Sequence, residues 1–192
     1  MNHQELIKQR INSSIETKTK WLQNEDMLNK LETISSLLVA TFKNDGKVLF
    51  CGNGGSAADA QHLAAEFSGR FYMDREPLYS EALHVNSSFV TAVANDYSYD
   101  EVYARMVRAA GRKGDVLFAI STSGNSNNII NAIEAAKKRE MIVVGMTGET
   151  GGKMKDVCDY LLNVPSTDTP RIQESHILMG HIVCELTEKM MF

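Results

Sequence analysis

The chain has 192 residues, 43% of them hydrophobic, so it can bury a full core and has the length of a single domain. Its net charge of −4 argues against a nucleic-acid-binding surface, and the lack of any apolar run of about 18 residues argues against a membrane span. Three cysteines without metal-binding spacing argue against a disulfide scaffold, and the polar N-terminus does not predict a signal peptide, so we expect a cytoplasmic protein.

Residues 1–44 carry apolar side chains at helical intervals, interrupted near residues 24–26. This pattern predicts two amphipathic helices, which extend a sandwich formed by residues 45–192 of the same single domain. Because a sheet covered on both faces leaves little room for two further helices, we expect them to lie outside the sandwich and to join copies of the chain in an oligomer.

Five short apolar runs follow, separated by helical stretches. A strand that is apolar on both faces is typical of a parallel sheet covered by helices on both sides. The pattern therefore predicts an α/β fold with a five-stranded, doubly wound sheet and a ligand site beyond the carboxyl ends of the strands. The predicted strands are residues 47–51, about 80–85, 115–120, 141–147 and 159–164.

The first predicted strand ends in a glycine-rich loop that opens into a helix. The loop contains Asn53, Gly54, Gly55 and Ser56. Unpaired backbone N–H groups and the positive end of the helix dipole meet at such a point and form a cradle for an anion. A phosphate group is the ligand that this loop predicts.

A second loop of the same kind follows the third predicted strand. It contains Ser121, Thr122, Ser123 and Ser126, and Ser126 is placed to cap a helix predicted over residues 127–139. Either loop alone could be an ordinary turn, but two of them favour one shared phosphate site. Neither matches the dinucleotide fingerprint or the P-loop, so a nucleotide is not the predicted ligand.

His62 and Glu66 lie four residues apart on the helix that leaves the first loop, so they share one face. They could form an ordinary ion pair in solvent. Beside a bound sugar phosphate, the same pair could carry general acid–base chemistry or hold a divalent metal.

Two other groups of polar residues stay ambiguous in the sequence alone. Asn95 and Asp96 follow a helix predicted over residues 87–94 and could either cap it or bind a ligand. The last predicted helix, about residues 170–190, carries His176 and His181, which are turned about 140° from each other and cannot both face one site. The spacing does not indicate which histidine is functional.

Four segments together resemble a known family. The segments CGNGGSAADAQHLAAEFSGRF, AVANDYSYDEVYARMVRAAGRKGDVLFAISTSGNS, MTGETGGKM and TPRIQESHILMGHIVCELTE are similar to those of the sedoheptulose 7-phosphate isomerases, also called phosphoheptose isomerases, of the SIS (sugar isomerase) fold. The resemblance covers nearly the whole chain. It implies a SIS-type sheet flanked by helices, with the N-terminal helices used in oligomerisation.

The resemblance also implies roles for residues at matching positions. Glu66 corresponds to the catalytic base and His181, rather than His176, to the catalytic acid. The implied contacts to substrate and phosphate are Asn53, Gly54, Gly55, Ser56, Glu66, Asn95, Asp96, Ser121, Thr122, Ser123, Ser126 and Gln173.

A zinc ion is implied as well, bound by His62, Glu66, Gln173 and His181. Gln173 and His181 are separated by about 12 Å of rise on a straight helix, which is a long reach for two ligands of one ion. An irregular first turn after Pro170, or ligands from different subunits, would bring them together.

The reaction implied is the conversion of sedoheptulose 7-phosphate to D-glycero-D-manno-heptose 7-phosphate through an enediolate. It would be carried out by a homotetramer as the first step of ADP-heptose synthesis for lipopolysaccharide core or a surface glycan. A related non-catalytic branch binds the replication initiator DnaA and is the alternative, as is an isomerase of another ketose phosphate. Glu66 and His181, which the binding branch lacks, favour the enzyme.

Overall fold

The protein is described by a computed structural model that covers residues 2–192. Within these residues the chain forms seven α-helices and one sheet, with two short 3₁₀ turns. The helices are α1 (His3–Leu22), α2 (Glu25–Lys43), α3 (Gly55–Ser68), α4 (Ser87–Asp96), α5 (Val102–Ala110), α6 (Asn127–Lys138) and α7 (Thr169–Met191).

The sheet confirms the predicted doubly wound α/β fold. Its five strands within residues 2–192 are all parallel and lie in the order β2-β1-β3-β4-β5. The strands are β1 (Val48–Gly52), β2 (Ser80–Ala82), β3 (Val116–Ile120), β4 (Ile142–Thr147) and β5 (Tyr160–Asn163). The order reverses between β1 and β3, so this point of the sheet is where a ligand site is expected.

Alternate side chains of each central strand enter two separate cores. Phe50 and Phe118 stack with ring centroids 4.9 Å apart and belong to the core under α2, α3 and α7. Their neighbours Leu49 and Leu117 point to the opposite face and pack under α4, α5 and α6. Both faces are therefore buried, which explains why the strands read as continuous apolar runs.

The second N-terminal helix corrects one expectation. We expected both helices to lie outside the sandwich, but α2 belongs to it, because Leu31, Ile34 and Leu38 are almost fully buried in the same core as the strands. The expectation failed because an amphipathic pattern identifies an apolar face but not the surface that covers it.

Helix α1 differs from α2 in what it presents to the rest of the chain. It is tied to α7 by polar contacts, in which the Ser14 hydroxyl donates to Glu174 at 2.7 Å and Arg171 donates to the carbonyl of Arg10 at 3.0 Å. Its isoleucines Ile7, Ile11 and Ile15, spaced four residues apart, are 55–58% exposed. The apolar stripe of α1 thus faces away from its own chain.

Two smaller features complete the fold. None of the helices in residues 2–192 combines the length and the hydropathy needed to cross a bilayer. All three cysteines carry unpaired thiols, and Cys51 and Cys184 are buried. Burial raises the pKa of both thiols, so they behave as small apolar side chains rather than as nucleophiles.

Candidate functional site

We call residues 53–56 the glycine loop and residues 121–126 the serine loop. The two loops lie side by side at the point where the strand order reverses. The first follows β1 and the second follows β3, and these two strands are hydrogen-bonded neighbours over their whole length. Parallel strands bring both loops to the same edge of the sheet. The two loops therefore lie next to each other, as one shared phosphate site would require.

In the glycine loop, helix α3 begins without a side-chain cap. Gly54 occupies the cap position, and no side chain bonds the first N–H groups of the helix. Gln173 of α7 lies directly against this turn, because a Cβ atom placed on Gly55 would be 2.5 Å from its Nε2. The N–H groups of Ser56 and Ala57 donate to the backbone carbonyls of Asn53 and Gly54 at 3.0 and 3.1 Å. Any larger residue at position 55 would displace the Gln173 amide, so the loop brings a helix N-terminus without a side-chain cap and a side-chain amide together.

The serine loop presents hydroxyl groups at the start of α6. Ser126 is the cap residue, as predicted, but its side chain does not bond the helix N–H groups; its hydroxyl lies 3.1 Å from that of Ser121. The expected side-chain cap is therefore wrong, because the hydroxyl is engaged across the loop. Thr122 and Ser123 line a cleft of about 270 Å³ that also contacts the start of α7.

An amide pair locks the two loops to each other. The side chains of Asn53 and Asn128 exchange two hydrogen bonds of 2.9 Å, and the hydroxyl of Tyr99 donates to Asn53 Oδ1 at 3.2 Å. Asn128 is only 3% exposed, although it lies in the first turn of a helix that begins at the loop. We did not identify Asn128 or Tyr99 as part of the site from the sequence. The sequence feature that could have identified Asn128 is that it is a polar residue on the buried side of α6.

Helices α3 and α7 bring three metal-ligating side chains together beyond the loops. Nε2 of His62 lies 3.0 Å from Glu66 Oε1 and 3.1 Å from Nε2 of His181. One ligand atom from each of the three residues lies within 4.8 Å of the others. His181 is 119 residues from His62 in sequence, so the pair predicted on α3 gains a partner that spacing did not reveal.

A close helix contact makes this convergence possible. A Cβ atom on Gly180 would come within 2.5 Å of the Leu63 side chain, so the two helices touch backbone to side chain here. His62 and His181 are the immediate neighbours of these two residues. Glycine at position 180 thus sets the separation at which the two imidazoles meet.

The geometry of the three groups fits a divalent metal. A single N–H on Nε2 of His62 cannot point at a carboxylate oxygen and at another imidazole nitrogen at once. A cation among the three atoms would satisfy all of them, and two histidines with one glutamate are a donor set that zinc uses. The predicted fourth ligand, Gln173, lies against Gly55 instead, and α7 is a continuous helix from Thr169, so the irregular turn that would have shortened its reach is not seen.

Ionisation in this cluster favours an unprotonated His181. Burial lowers the pKa of His181, and the neighbouring His62 lowers it further, while Glu66 opposes the shift. The ring of Phe71 covers His181 with centroids 5.6 Å apart. A neutral imidazole keeps a lone pair for a metal or for a proton.

A further carboxyl group, not predicted from the sequence, lies one turn before His62. Burial raises the pKa of Asp59 to about 6, and the charge of His62 opposes that shift. Its Oδ2 atom is buried without a hydrogen-bond partner among residues 2–192. The helix that carries His62 and Glu66 therefore also holds a half-buried carboxyl group whose pKa is raised toward neutral pH.

His176 has a different environment from His181. It is fully buried, and its Nε2 lies 3.1 Å from the carbonyl oxygen of Thr147, so Nε2 carries the proton and donates. Burial lowers the pKa of His176 to about 4. The structure thus gives His176 a packing role and places His181 at the cluster, as the resemblance implied.

Asn95 and Asp96 are not brought into contact with the loops. They form the last two residues of α4 instead of following it, and they are exposed and bonded to each other at 2.9 Å. They therefore neither accept helix-capping bonds nor contact another site residue through a hydrogen bond within the described chain.

Comparisons with known proteins identify the family to which the chain is similar. The family model of the SIS domain matches residues 13–148. A phosphoheptose isomerase of Aneurinibacillus thermoaerophilus is 50% identical over 186 residues, which cover 97% of this chain and 94% of that protein. The solved phosphoheptose isomerase from Neisseria gonorrhoeae has a TM-score of 0.92 at 43% identity, covering 98% of this chain and 100% of that one. A phosphoheptose isomerase from Francisella tularensis has a TM-score of 0.93 at 35% identity and the same coverage.

Proposed function

The chain belongs to the SIS domain family and, within it, to the phosphoheptose isomerases, and on that basis we propose that it converts sedoheptulose 7-phosphate to D-glycero-D-manno-heptose 7-phosphate. The observation that carries this proposal is the convergence of His62, Glu66 and His181 next to an edge of the sheet that has two anion-binding loops. A carboxylate and imidazoles beside a phosphate cradle are what an aldose–ketose isomerisation requires.

The phosphate end of the sugar is held by the two loops. The N-terminus of α3 supplies the positive end of the helix dipole and the backbone N–H of Gly55, since no side chain caps this helix. The serine loop supplies hydroxyl donors, chiefly from Ser121, Thr122, Ser123 and Ser126. Asn53 and Ser56 complete the first loop, and Gln173 reaches it from α7. Binding energy from this unreactive end positions the reacting carbons.

Glu66 is the proposed base. Its carboxylate takes the proton from C1 of the ketose, which leaves an enediolate, and returns that proton to C2 to give the aldose. A second proton must pass from the oxygen on C1 to the oxygen on C2. His181 serves this transfer, because its lowered pKa leaves the ring neutral at neutral pH.

We propose zinc as the cofactor, held by His62, Glu66 and His181, with Gln173 as the fourth ligand. When bound, the ion would stabilise negative charge that develops on the substrate oxygens. Nε2 of His181 faces the cluster, so its other ring nitrogen stays available for proton transfer when Nε2 is engaged. Gln173 joins this set only if it leaves Gly55 or comes from another copy of the chain.

Asn95 and Asp96 remain proposed sugar contacts. Both are exposed at the end of α4, and the segment that follows them carries Tyr99, which donates to Asn53 in the first loop. A sugar extending from the loops toward α4 would meet their side chains.

The exposed stripe of α1 supports a homotetramer. Ile7, Ile11 and Ile15 would be buried by a second copy of the same helix, since an apolar stripe that faces away from its own chain needs a partner. Light scattering should give a tetramer for the native chain and smaller species for Ile11→Lys combined with Ile15→Lys. Gln9→Lys combined with Asn12→Lys, which adds the same charge at two exposed neighbouring positions, should remain tetrameric; a native monomer would contradict the proposal.

The pathway follows from the product. The heptose 7-phosphate would enter ADP-heptose synthesis for lipopolysaccharide core or a surface glycan. We place the enzyme in the cytoplasm, where sugar phosphates are made and where three unpaired thiols stay reduced.

A coupled turnover assay with sedoheptulose 7-phosphate tests the function. The native chain should turn over this substrate faster than shorter ketose phosphates. Glu66→Gln should lower kcat by about a thousandfold or more, since it removes the base but keeps the shape of the side chain. Glu32→Gln, an exposed change on α2, is the matched control and should keep native kcat. Full activity of Glu66→Gln would reject Glu66 as the base.

A further inference from the structure

A buried carboxylate lies near the end of α7, outside the cluster of reactive groups. Glu188 is 2% exposed, and its two oxygens accept hydrogen bonds from the backbone N–H groups of Tyr72 at 2.8 Å and Met73 at 2.9 Å, with a longer one from Phe71 at 3.3 Å. It also accepts from Nε of Arg75 at 2.8 Å. One side chain on α7 thus organises the whole segment that follows α3.

The guanidinium of Arg75 reaches the other helix of the site. Its Nη2 donates to the backbone carbonyl of Glu66 at 3.0 Å, and its Nη1 donates to that of Phe67 at 2.9 Å. These carbonyls belong to the last turn of α3, where helix acceptors lack intrahelical partners. Arg75 therefore binds the C-terminal end of α3 on one side and α7 on the other.

We propose that the ion pair of Arg75 and Glu188 is a positioning element that fixes Glu66 relative to His181. The proposal rests on the isomerase function given above. Arg75 holds the backbone of Glu66 itself, while Glu188 lies on the same helix as His181, two turns further on. Neither residue touches the reacting atoms; both set the distance between the helices that do.

The environment of the pair supports this role. The side chains of Arg75 and Glu188 are 3% and 2% exposed. Burial alone would raise the pKa of Glu188, but the backbone N–H groups and Arg75 hold it below its usual value. A buried pair of this kind is retained for geometry more readily than for stability, because apolar residues of similar volume would often stabilise the fold as well.

The same carboxylate also places an aromatic wall on His181. The N–H of Phe71 donates to Glu188 at 3.3 Å, and the ring of Phe71 lies 5.6 Å from that of His181. Loss of Glu188 would therefore release both the backbone of Glu66 and the ring that covers His181.

The chain offers a matched control at the start of β3. Asp115 is 2% exposed and accepts hydrogen bonds from the N–H groups of Lys47 and Arg112, and its carboxylate pairs with Lys47 Nζ at 2.7 Å. It resembles Glu188 in burial, charge and partners. It precedes β3, however, and touches neither α3 nor α7.

The test compares Glu188→Gln with Asp115→Asn. Glu188→Gln should lower kcat by about tenfold or more and leave KM within about twofold, because it loosens the reactive groups but not the phosphate loops. Asp115→Asn should lose stability without that loss of kcat. In the metal-free protein, the ring-nitrogen NMR signals of His62 and His181 should move in Glu188→Gln and stay in place in Asp115→Asn.

A second variant covers the case in which Glu188→Gln does not fold. Arg75→Lys keeps a positive charge for Glu188 but loses the planar guanidinium that reaches the carbonyls of Glu66 and Phe67. This variant should show the same loss of kcat and the same NMR changes as Glu188→Gln. Equal kcat in the test and control variants, with unmoved histidine signals, would overturn the proposal. If the native protein turns over no ketose phosphate, the function fails, but the histidine signals still decide the positioning role.

Discussion

Asn53 and Asn128 exchange two hydrogen bonds of 2.9 Å across 75 residues of sequence. The pair joins the glycine loop after β1 to the helix that starts from the serine loop after β3. Each side chain acts as donor and acceptor, so an amide is required at both positions. The relative position of the two proposed phosphate loops therefore depends on a contact between Asn53 of the first loop and a helix residue that lies beyond the second loop.

Asn128→Asp should weaken substrate binding while sparing the chemical step. An aspartate keeps the acceptor for Asn53 but loses the donor, and we expect KM to rise by about tenfold with kcat changed less than about threefold. Asn127→Asp adds the same charge one residue earlier at an exposed position without touching the pair. Steady-state kinetics should show a larger KM for the Asn128 variant; equal values in both would mean that charge, not the amide pair, matters.

Removal of one side chain from the cluster of His62, Glu66 and His181 should weaken the proposed binding of zinc. His62→Ala should raise the dissociation constant for zinc by about a hundredfold, measured by competition with a chromophoric chelator, because only two of the three converging groups remain. His3→Ala, at an exposed position on α1, should bind zinc as the native chain does. Gln173→Ala tests the fourth ligand, and unchanged affinity in that variant would remove Gln173 from the proposed set.

Gly180→Ala should destabilise the fold and slow turnover together. The new Cβ would come within 2.5 Å of Leu63 and push α7 from α3, at a cost of about 1–3 kcal/mol in the free energy of unfolding. Urea unfolding measures that cost. In the double variant with Leu63→Ala, the two changes should be strongly non-additive, because the cavity left by leucine accommodates the methyl group. Additive losses would show that the two helices do not press on each other at this point.

Acid should destabilise the protein partly through His176. The folded-state pKa of His176 is about 4, below the unfolded value of 6.5, so the unfolded chain binds the proton more tightly. The contribution, roughly 3 kcal/mol, is fully present above pH 6.5 and is lost as the pH falls toward 4. His176→Gln should be less stable than the native chain at neutral pH but should lose less stability on acidification, as urea unfolding at several pH values can measure. His3→Gln should keep the native pH dependence.

Most of the fold could be predicted because the strands carry their own signal. Phe50 and Leu49, or Phe118 and Leu117, are apolar on both faces of the sheet, and that pattern identifies a buried parallel strand without any knowledge of its neighbours. The boundary of β2 was less certain. The strand was predicted to end near residue 85 but ends at Ala82. A turn follows directly, in which the N–H of Val85 donates to the carbonyl of Ala82.

Residue spacing alone predicted only the local parts of the candidate site, and His181 was placed beside His62 and Glu66 by the family resemblance. The two loops and the pair His62 and Glu66 follow from neighbours in sequence, since helix spacing and strand ends fix them. Tertiary packing decided the rest. No local pattern shows that His181 meets His62, that Asn128 pairs with Asn53, or that Arg75 reaches the carbonyl of Glu66. Ser126 is a local prediction that failed, because its hydroxyl bonds Ser121 across the loop instead of capping the helix that it precedes.

The two cores on opposite faces of the sheet divide the site between them. The proposed reactive groups all lie on α3 and α7 over one core, whereas Asn128 and the helix behind the serine loop lie over the other. A laboratory-evolution experiment that selects for a ketose phosphate of another length should therefore collect changes around both proposed phosphate loops, including the start of α6. Selection for faster proton transfer should collect changes around α3 and α7 only. Positions around α6 can therefore change without altering the core that supports the proposed proton-transfer groups.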